Sequence, residues 1–181
     1  MNKPSFYLPV DPNLITYLSL ILALVGAYFI YTSQYLPSLV FIILSFLADA
    51  VDGAVARGTG GTTPKGAFLD GVMDRLVEFL ILGAFLLESG WVLPSLILMA
   101  FGSFMTSFVM AYGVHRKVLP LDTPQVPCVL PRPLRVLGIL AVLVLYVFAP
   151  SLSYPLLWLL AFLAFISFVQ RFVVVMGWSS G

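Results

Sequence analysis

Asp49, Asp52, Asp70, Asp74 and Glu78 are five of the eight acidic residues in a 181-residue chain, and all fall between positions 49 and 78. Asp49 and Asp52 are spaced i, i+3, which puts both on one face of a helix. Asp70 and Asp74 are spaced i, i+4, and Glu78 lies one turn further along the same face. Between the two groups runs Gly58-Thr59-Gly60-Gly61-Thr62-Thr63-Pro64-Lys65. This turn-forming segment makes the flanking helices antiparallel neighbours and lets the two carboxylate faces converge. Converging carboxylates repel one another and need a cation to be stable together. With no thiolate or imidazole in the group, hard divalent ions fit best, Mg²⁺ above all, with Mn²⁺ as the alternative. Four or five carboxylates suit two ions better than one, and a pair of ions clamps the attacking and leaving oxygens in phosphoryl chemistry. Gly53, Gly66 and Gly71 leave room for a bulky phosphate-bearing ligand between the helices. The competing reading makes these acids salt-bridge partners of Arg57, Lys65 and Arg75. Three cations cannot neutralise five carboxylates, and that reading leaves the regular spacing unexplained.

The elements that hold these residues follow from composition. The chain is 61% hydrophobic and 9% charged, against ~45–50% apolar and ~25% charged for an ordinary soluble domain. So sparse a charge excludes a soluble globular protein, and so high a hydrophobicity excludes a disordered one. A net charge of +1 gives no global field for nucleic acid. The single cysteine, Cys128, cannot form an internal disulfide. A membrane-crossing helix needs ~20 apolar residues. Six segments qualify: Leu14–Tyr31, Leu36–Arg57, Gly66–Glu88, Val92–His115, Arg132–Ala149 and Tyr154–Met176. The expected fold is therefore an all-α integral membrane protein of six transmembrane helices, a single domain over 1–181. With six spans both termini share one side, and that side receives all nine Lys and Arg residues. The opposite connections, Thr32–Tyr35, Glu88–Trp91 and Pro150–Tyr154, carry none, so both termini are expected to face the cytoplasm. The acidic group then sits in the second and third spans. An Asp at a span's centre costs ~2.5–3.5 kcal/mol, so such residues mark function by default.

The stretch Asp49-Ala-Val-Asp52-Gly53-Ala-Val-Ala56-Arg57, eight residues, then Gly66-Ala-Phe-Leu-Asp70-Gly-Val-Met-Asp74 resembles the D-x2-D-G-x2-A-R-x8-G-x3-D-x3-D signature of the CDP-alcohol phosphotransferase family. Every fixed position and gap matches, and the six-helix plan extends the resemblance along the chain. The resemblance implies transfer of a phosphatidyl-type group from a CDP-linked lipid to an alcohol, releasing CMP. It implies that Asp49, Asp52 and Asp70 ligate divalent metal, and that Asp74 joins a second ion and takes the acceptor's proton. It places Asp52, Gly53, Ala56, Arg57 and Gly66 around the cytidine diphosphate. Small Gly53 and Ala56 permit close approach, and Arg57 offers a planar fork to phosphate oxygens. Pro12-Asn13-Leu14-Ile15-Thr16 is similar to the Pro-Asn-x-x-Thr start common in the family, so Asn13 and Thr16 are expected to reach the cytidine. Asn13 could equally be a plain helix N-cap. A homodimer is also implied by the resemblance.

The remaining cations bear on the acceptor. Arg171 lies inside the last span, where a charge requires a partner. Arg132 and Arg135 share a face at the start of the fifth span, and Arg116 ends the fourth. Four arginines near an acidic metal site point to a phosphorylated acceptor, because arginine binds phosphate bidentately. Tyr112-Gly-Val-His-Arg116, Arg132-Pro-Leu-Arg135 and Gln170-Arg171 resemble elements of the inositol-phosphate-using branch of the family. In archaea that branch makes archaetidylinositol phosphate, and in actinobacteria phosphatidylinositol phosphate. Val114 and Leu134 depart from the Lys and Glu common there, so glycerol 3-phosphate stands as the alternative acceptor. A small ion transporter is the reading from another class. It predicts ionisable groups along a path across the bilayer, whereas the half of the bilayer opposite the acidic group is nearly charge-free, with only Glu88 at the far surface. His115 reads as an interfacial residue, Cys128 as a loop residue, and Trp91, Trp158 and Trp178 as an aromatic belt. Ser103, Ser107 and Ala111 recur every four residues, as in close helix packing.

Overall fold

The computed structural model describes residues 12–59, 63–87, 91–121, 123, 126 and 128–177, with side chains for all of these except 12, 13 and 52–59. Every regular element among the described residues is helical. The chain divides into two compact units, Met1–Ala84 and Phe85–Gly181.

The first unit holds α1 (Pro12–Tyr31), α2 (Tyr35–Thr59) and α3 (Pro64–Phe85), the last reaching the boundary. α1 ends in a left-handed residue, Ser33, at φ 58°. The Ser33 N–H donates to the Ile30 carbonyl at 2.8 Å and the Gln34 N–H to the Phe29 carbonyl at 2.8 Å. These are the paired bonds of a Schellman turn, which satisfy the last helical carbonyls and reverse the chain. α1 and α2 then pack closely. A Cβ on Gly26 would lie 2.6 Å from Ile42 Cγ1, the Ser45 hydroxyl donates to the Ser19 carbonyl at 2.7 Å, and Phe29 stacks on Phe41 with centroids 5.5 Å apart. Ile42 is fully buried and has nowhere to move. Gly26→Val is therefore expected to destabilise this hairpin by about 1–3 kcal/mol through overpacking, read as a lowered unfolding temperature in detergent. α3 starts on Thr63, whose hydroxyl accepts the Gly66 N–H at 3.0 Å. Pro64 follows at the first helical position, where a missing N–H costs nothing.

The second unit begins with one continuous span, α4 (Val92–Ile97), a π-helical stretch (Leu98–Met105) and α5 (Thr106–His115). It closes on a second Schellman turn. Lys117 has φ 60°, its N–H donates to Val114, and the Val118 N–H donates to Gly113. α6 (Arg132–Phe148) and α7 (Pro150–Gly177) complete the unit. The segment entering α6 is pinned to α7: the Leu130 N–H donates to Ser167 Oγ at 2.8 Å and the Val129 N–H to Gln170 Oε1 at 3.0 Å.

Each of the six expected spans is a helix, with shifted ends. The expected loop Pro150–Ser153 is instead the first turn of α7, so α6 and α7 are joined by Ala149 alone. Pro150 is suited to a helix start, and the Ser153 hydroxyl turns back onto its carbonyl at 2.6 Å. Among the described residues three helical segments are long and apolar enough to cross a membrane: Leu14–Tyr31, Val92–His115 and Pro150–Gly177. In α2 the apolar stretch among the described side chains is Tyr35–Val51. Trp91 lies at a span end as expected, but it is buried between Phe85 and Tyr146, with ring centroids 5.1 and 5.0 Å away. It packs inside the second unit rather than in a belt.

Candidate active site

In the first unit, α2 and α3 bring Asp49, Asp70 and Asp74 together. One carboxylate oxygen from each lies within 4.8 Å of the others. Asp49 and Asp70 are half-buried and Asp74 is buried at 5% exposure. The i, i+4 spacing sets Asp70 and Asp74 on one face of α3. Asp49 comes from α2, so three of the four expected metal ligands converge. The fourth, Asp52, and its neighbours Gly53, Ala56 and Arg57 lie in α2, but their side chains are outside the described residues, as is that of Asn13. Glu78 is one turn beyond Asp74 on α3 and only 1% exposed.

Three like charges this close repel one another, and a nearby positive charge offsets that repulsion. Arg75 supplies a little: its Nη1 is 3.5 Å from Asp74 Oδ2, long for an ion pair, and also donates to the Gly71 carbonyl at 3.0 Å. The Arg75 side chain is 40% exposed, so solvent screens the pair. An oxygen-only donor set, partly withdrawn from water and drawn from two helices, fits a hard divalent cation well. Tyr17, Lys65, Gly66, Phe68 and Leu69 line an open groove of about 880 Å³ between α1 and the start of α3. Gly66 lies on the wall of this groove. Thr16 is buried at 5% exposure.

The arginines belong to the second unit and are of two kinds. Arg116 is exposed at the end of α5 with its guanidinium carbon 5.8 Å from the Tyr112 ring centroid, a cation–π contact at the surface. Arg132 and Arg171 are half-buried, and Arg135 is buried at 4% exposure. Arg171 Nη1 donates to the Thr106 carbonyl at 3.0 Å, and the Arg135 stem lies over Gly102. The π-helical stretch carrying Gly102 and adjoining Thr106 was missed in the sequence. Its one visible trace is a Gly-x3-Thr pair inside an apolar span. The same stretch breaks the Ser103, Ser107, Ala111 stripe: Ser103 is buried and Ala111 exposed, since a four-residue repeat keeps one face only in an unbroken α-helix.

The chain matches the CDP-alcohol phosphatidyltransferase family over residues 10–173. It belongs to this family of transferases of substituted phosphate groups, and with its long apolar helices it is an integral membrane protein. An archaetidylinositol phosphate synthase of Aeropyrum pernix is 34% identical over 168 residues, covering 92% of this chain and 84% of that protein. An uncharacterized protein of Aquifex aeolicus is 35% identical over 106 residues, covering 57% of this chain and 53% of that protein, so the match spans about half of that relative's length. The phosphatidylinositol phosphate synthase of Mycobacterium tuberculosis, solved with CDP-DAG bound, superposes with a TM-score of 0.81. It is 23% identical, and the match covers 94% of this chain and 89% of that one. The same protein in complex with manganese and citrate gives a TM-score of 0.79 at 24% identity, covering 95% of this chain and 85% of that one. At these identities the likeness shows a shared fold.

Proposed function

We propose that this protein transfers a phosphatidyl-type group from a CDP-linked lipid to a hydroxyl of a phosphorylated alcohol, inositol 1-phosphate, releasing CMP at the cytoplasmic face of the membrane. The observation that carries the reading is the convergence of the Asp49, Asp70 and Asp74 carboxylates within 4.8 Å, inside a segment that matches the family signature at every fixed position. The acceptor oxygen attacks the lipid-bearing phosphorus, the bond to the bridging diphosphate oxygen breaks, CMP departs with that oxygen, and the hydroxyl proton passes to Asp74. Asp49, Asp52, Asp70 and Asp74 would hold two Mg²⁺ or Mn²⁺ ions, which when bound stabilise negative charge on the transferring group. Asp74 is buried at 5% exposure, and an oxygen of its carboxylate belongs to the converging group. Asn13, Thr16, Gly53, Ala56, Arg57 and Gly66 surround the cytidine diphosphate. The manganese complex and the CDP-DAG complex of the Mycobacterium protein support a divalent metal and a CDP-lipid donor here as well.

Arg116, Arg132, Arg135 and Arg171 bind the acceptor's phosphate. Support comes from the burial of Arg135 and from the named activity of the Aeropyrum relative. Six spans with both termini in the cytoplasm agree with the one-sided distribution of the nine basic residues. A charge-assisted hydrogen bond is worth ~1.5–3 kcal/mol, so Arg171→Ala is expected to raise KM for inositol 1-phosphate about 10- to 100-fold. KM for the CDP-lipid should be unchanged. An unaltered acceptor KM would leave Arg171 as no more than a tie between α7 and Thr106. The whole reading is tested with purified protein, Mg²⁺, two CDP-lipids (diacylglycerol- and archaeol-based) and three acceptors, inositol 1-phosphate, glycerol 3-phosphate and serine. CMP release with inositol 1-phosphate is expected. Release with glycerol 3-phosphate alone would replace the acceptor, and no release with any acceptor would overturn the assignment.

A further inference from the structure

We infer that Thr106, with the π-helical turn it closes, is a positioning residue that sets Arg135 and Arg171 for the phosphate of the acceptor. The inference rests on the reading of those arginines as phosphate ligands and adds the element that aims them.

Where i→i−5 pairing gives way to i→i−4 pairing, one carbonyl is skipped by the backbone ladder. At the junction between Leu98–Met105 and α5, the Thr106 hydroxyl donates to the Gly102 carbonyl at 2.6 Å. The side chain thus satisfies a carbonyl buried in the middle of a span, where water cannot. Thr106 is itself 3% exposed. Its own carbonyl receives Arg171 Nη1 from α7 at 3.0 Å. On the same turn, a Cβ at Gly102 would lie 3.1 Å from Arg135 Cδ, 3.1 Å from Leu98 Cδ1 and 3.2 Å from Ala164 Cβ. Gly102 is therefore the floor on which the buried Arg135 stem rests. Two arginines from two different helices are indexed to one helical turn, one through a carbonyl and one through an absent side chain.

The state of Arg171 says what this turn prepares. With Nη1 held by the backbone, its Nε is buried and has no hydrogen-bond partner. A buried unsatisfied donor on a charged group is costly, and the Nε edge of a guanidinium is one of the two edges that grip a pair of anionic oxygens. An alkyl phosphate seated there would satisfy it. Serine and threonine hydroxyls also bond back to the preceding turn for local reasons alone, and such a bond would affect stability without distinguishing between substrates.

The test uses the full chain in detergent, measuring CMP release with inositol 1-phosphate and CDP-lipid each varied at saturation of the other. Thr106→Val is expected to raise KM for inositol 1-phosphate about 10-fold, the loss of one charged-group hydrogen bond's alignment, with KM for CDP-lipid within about twofold. Thr106→Ser, which restores the hydroxyl, should return the acceptor KM to within about twofold of wild type. An unchanged acceptor KM in Thr106→Val, a parallel rise in both KM values, or a Ser variant as impaired as Val overturns the inference. If Thr106→Val does not fold, Gly102→Ala reads the same turn by pressing on Arg135. The same selective rise supports the inference, and a uniform or absent change refutes it. A wild-type enzyme that releases CMP with neither inositol 1-phosphate nor glycerol 3-phosphate refutes the phosphorylated-acceptor reading itself. An active wild type with an insensitive Thr106→Val refutes the positioning role alone.

Discussion

Asp70→Ala is expected to lower the rate of CMP release ~10³-fold or more, since metal stabilisation of the transferring phosphoryl group is worth several kcal/mol and each 1.36 kcal/mol is tenfold in rate. Asp70 shares a face of α3 with Asp74 and meets Asp49 of α2, one oxygen of each lying within 4.8 Å of the others. Its removal takes one of the three converging carboxylates, and one of the four proposed metal ligands, out of the site. The same substitution separates the metal reading from a salt-bridge reading by the sign of its effect on stability. If Asp70 were a structural ion-pair partner, its loss would leave a cation unpaired and lower the unfolding temperature. If the three carboxylates await a metal, then in EDTA they repel one another, and deleting one relieves the repulsion. Asp70→Ala should therefore unfold in EDTA at a temperature equal to or above that of wild type, and should lose the stabilisation that Mg²⁺ gives the wild-type protein. A variant that retains a tenth of wild-type activity, or that is destabilised in EDTA, would remove the carboxylate group from the chemistry.

The parts of this architecture legible in the sequence are those set by short periodicities. Asp70 and Asp74 could be put on one face because i, i+4 neighbours share a face in any α-helix, and Asp49 could be put opposite because the connection to α3 is short and rich in glycine. The helix start at Thr63-Pro64 carries ordinary capping chemistry, and α3 begins there. What was not legible depends on partners distant in sequence or on departures from α geometry. The π-helical stretch has no propensity signature of its own. Within it Gly102 lies against Arg135 of α6, and the Thr106 hydroxyl bonds back to the Gly102 carbonyl. Pro150-Ser-Leu-Ser153 has the composition of a loop, yet it winds into α7 because proline and a back-bonding serine serve a helix start as well as a turn. Ser33 and Lys117 take left-handed conformations that glycine ordinarily holds, so neither turn type could be read from residue identity. In the sequence Arg171 stood apart from the other three arginines by lying inside a span, and Arg116, Arg132 and Arg135 stood at span ends. Burial separates them, with Arg116 on the surface against Tyr112 and Arg135 and Arg171 tied to the turn on the fourth span.

Asp74→Asn is the sharper probe of the reaction itself, and is expected to reduce kcat about 10²- to 10⁴-fold, the range that general-base catalysis supplies. Asparagine preserves the size of the side chain and one acceptor oxygen, so the packing at this 5%-exposed position is disturbed little. What it removes is the negative charge and the capacity to take a proton. If Asp74 serves only to neutralise Arg75, the substitution would be nearly silent, because the pair is 3.5 Å long and its arginine is 40% exposed, a geometry worth ~1 kcal/mol or less. If Asp74 takes the acceptor's proton, KM for the CDP-lipid should hold while kcat falls, since the donor binds whether or not the proton can leave. The loss should also be partly recoverable at alkaline pH, where hydroxide replaces the missing base. Full activity in Asp74→Asn at neutral pH would exclude this carboxylate as the proton acceptor and leave the hydroxyl to be activated without it.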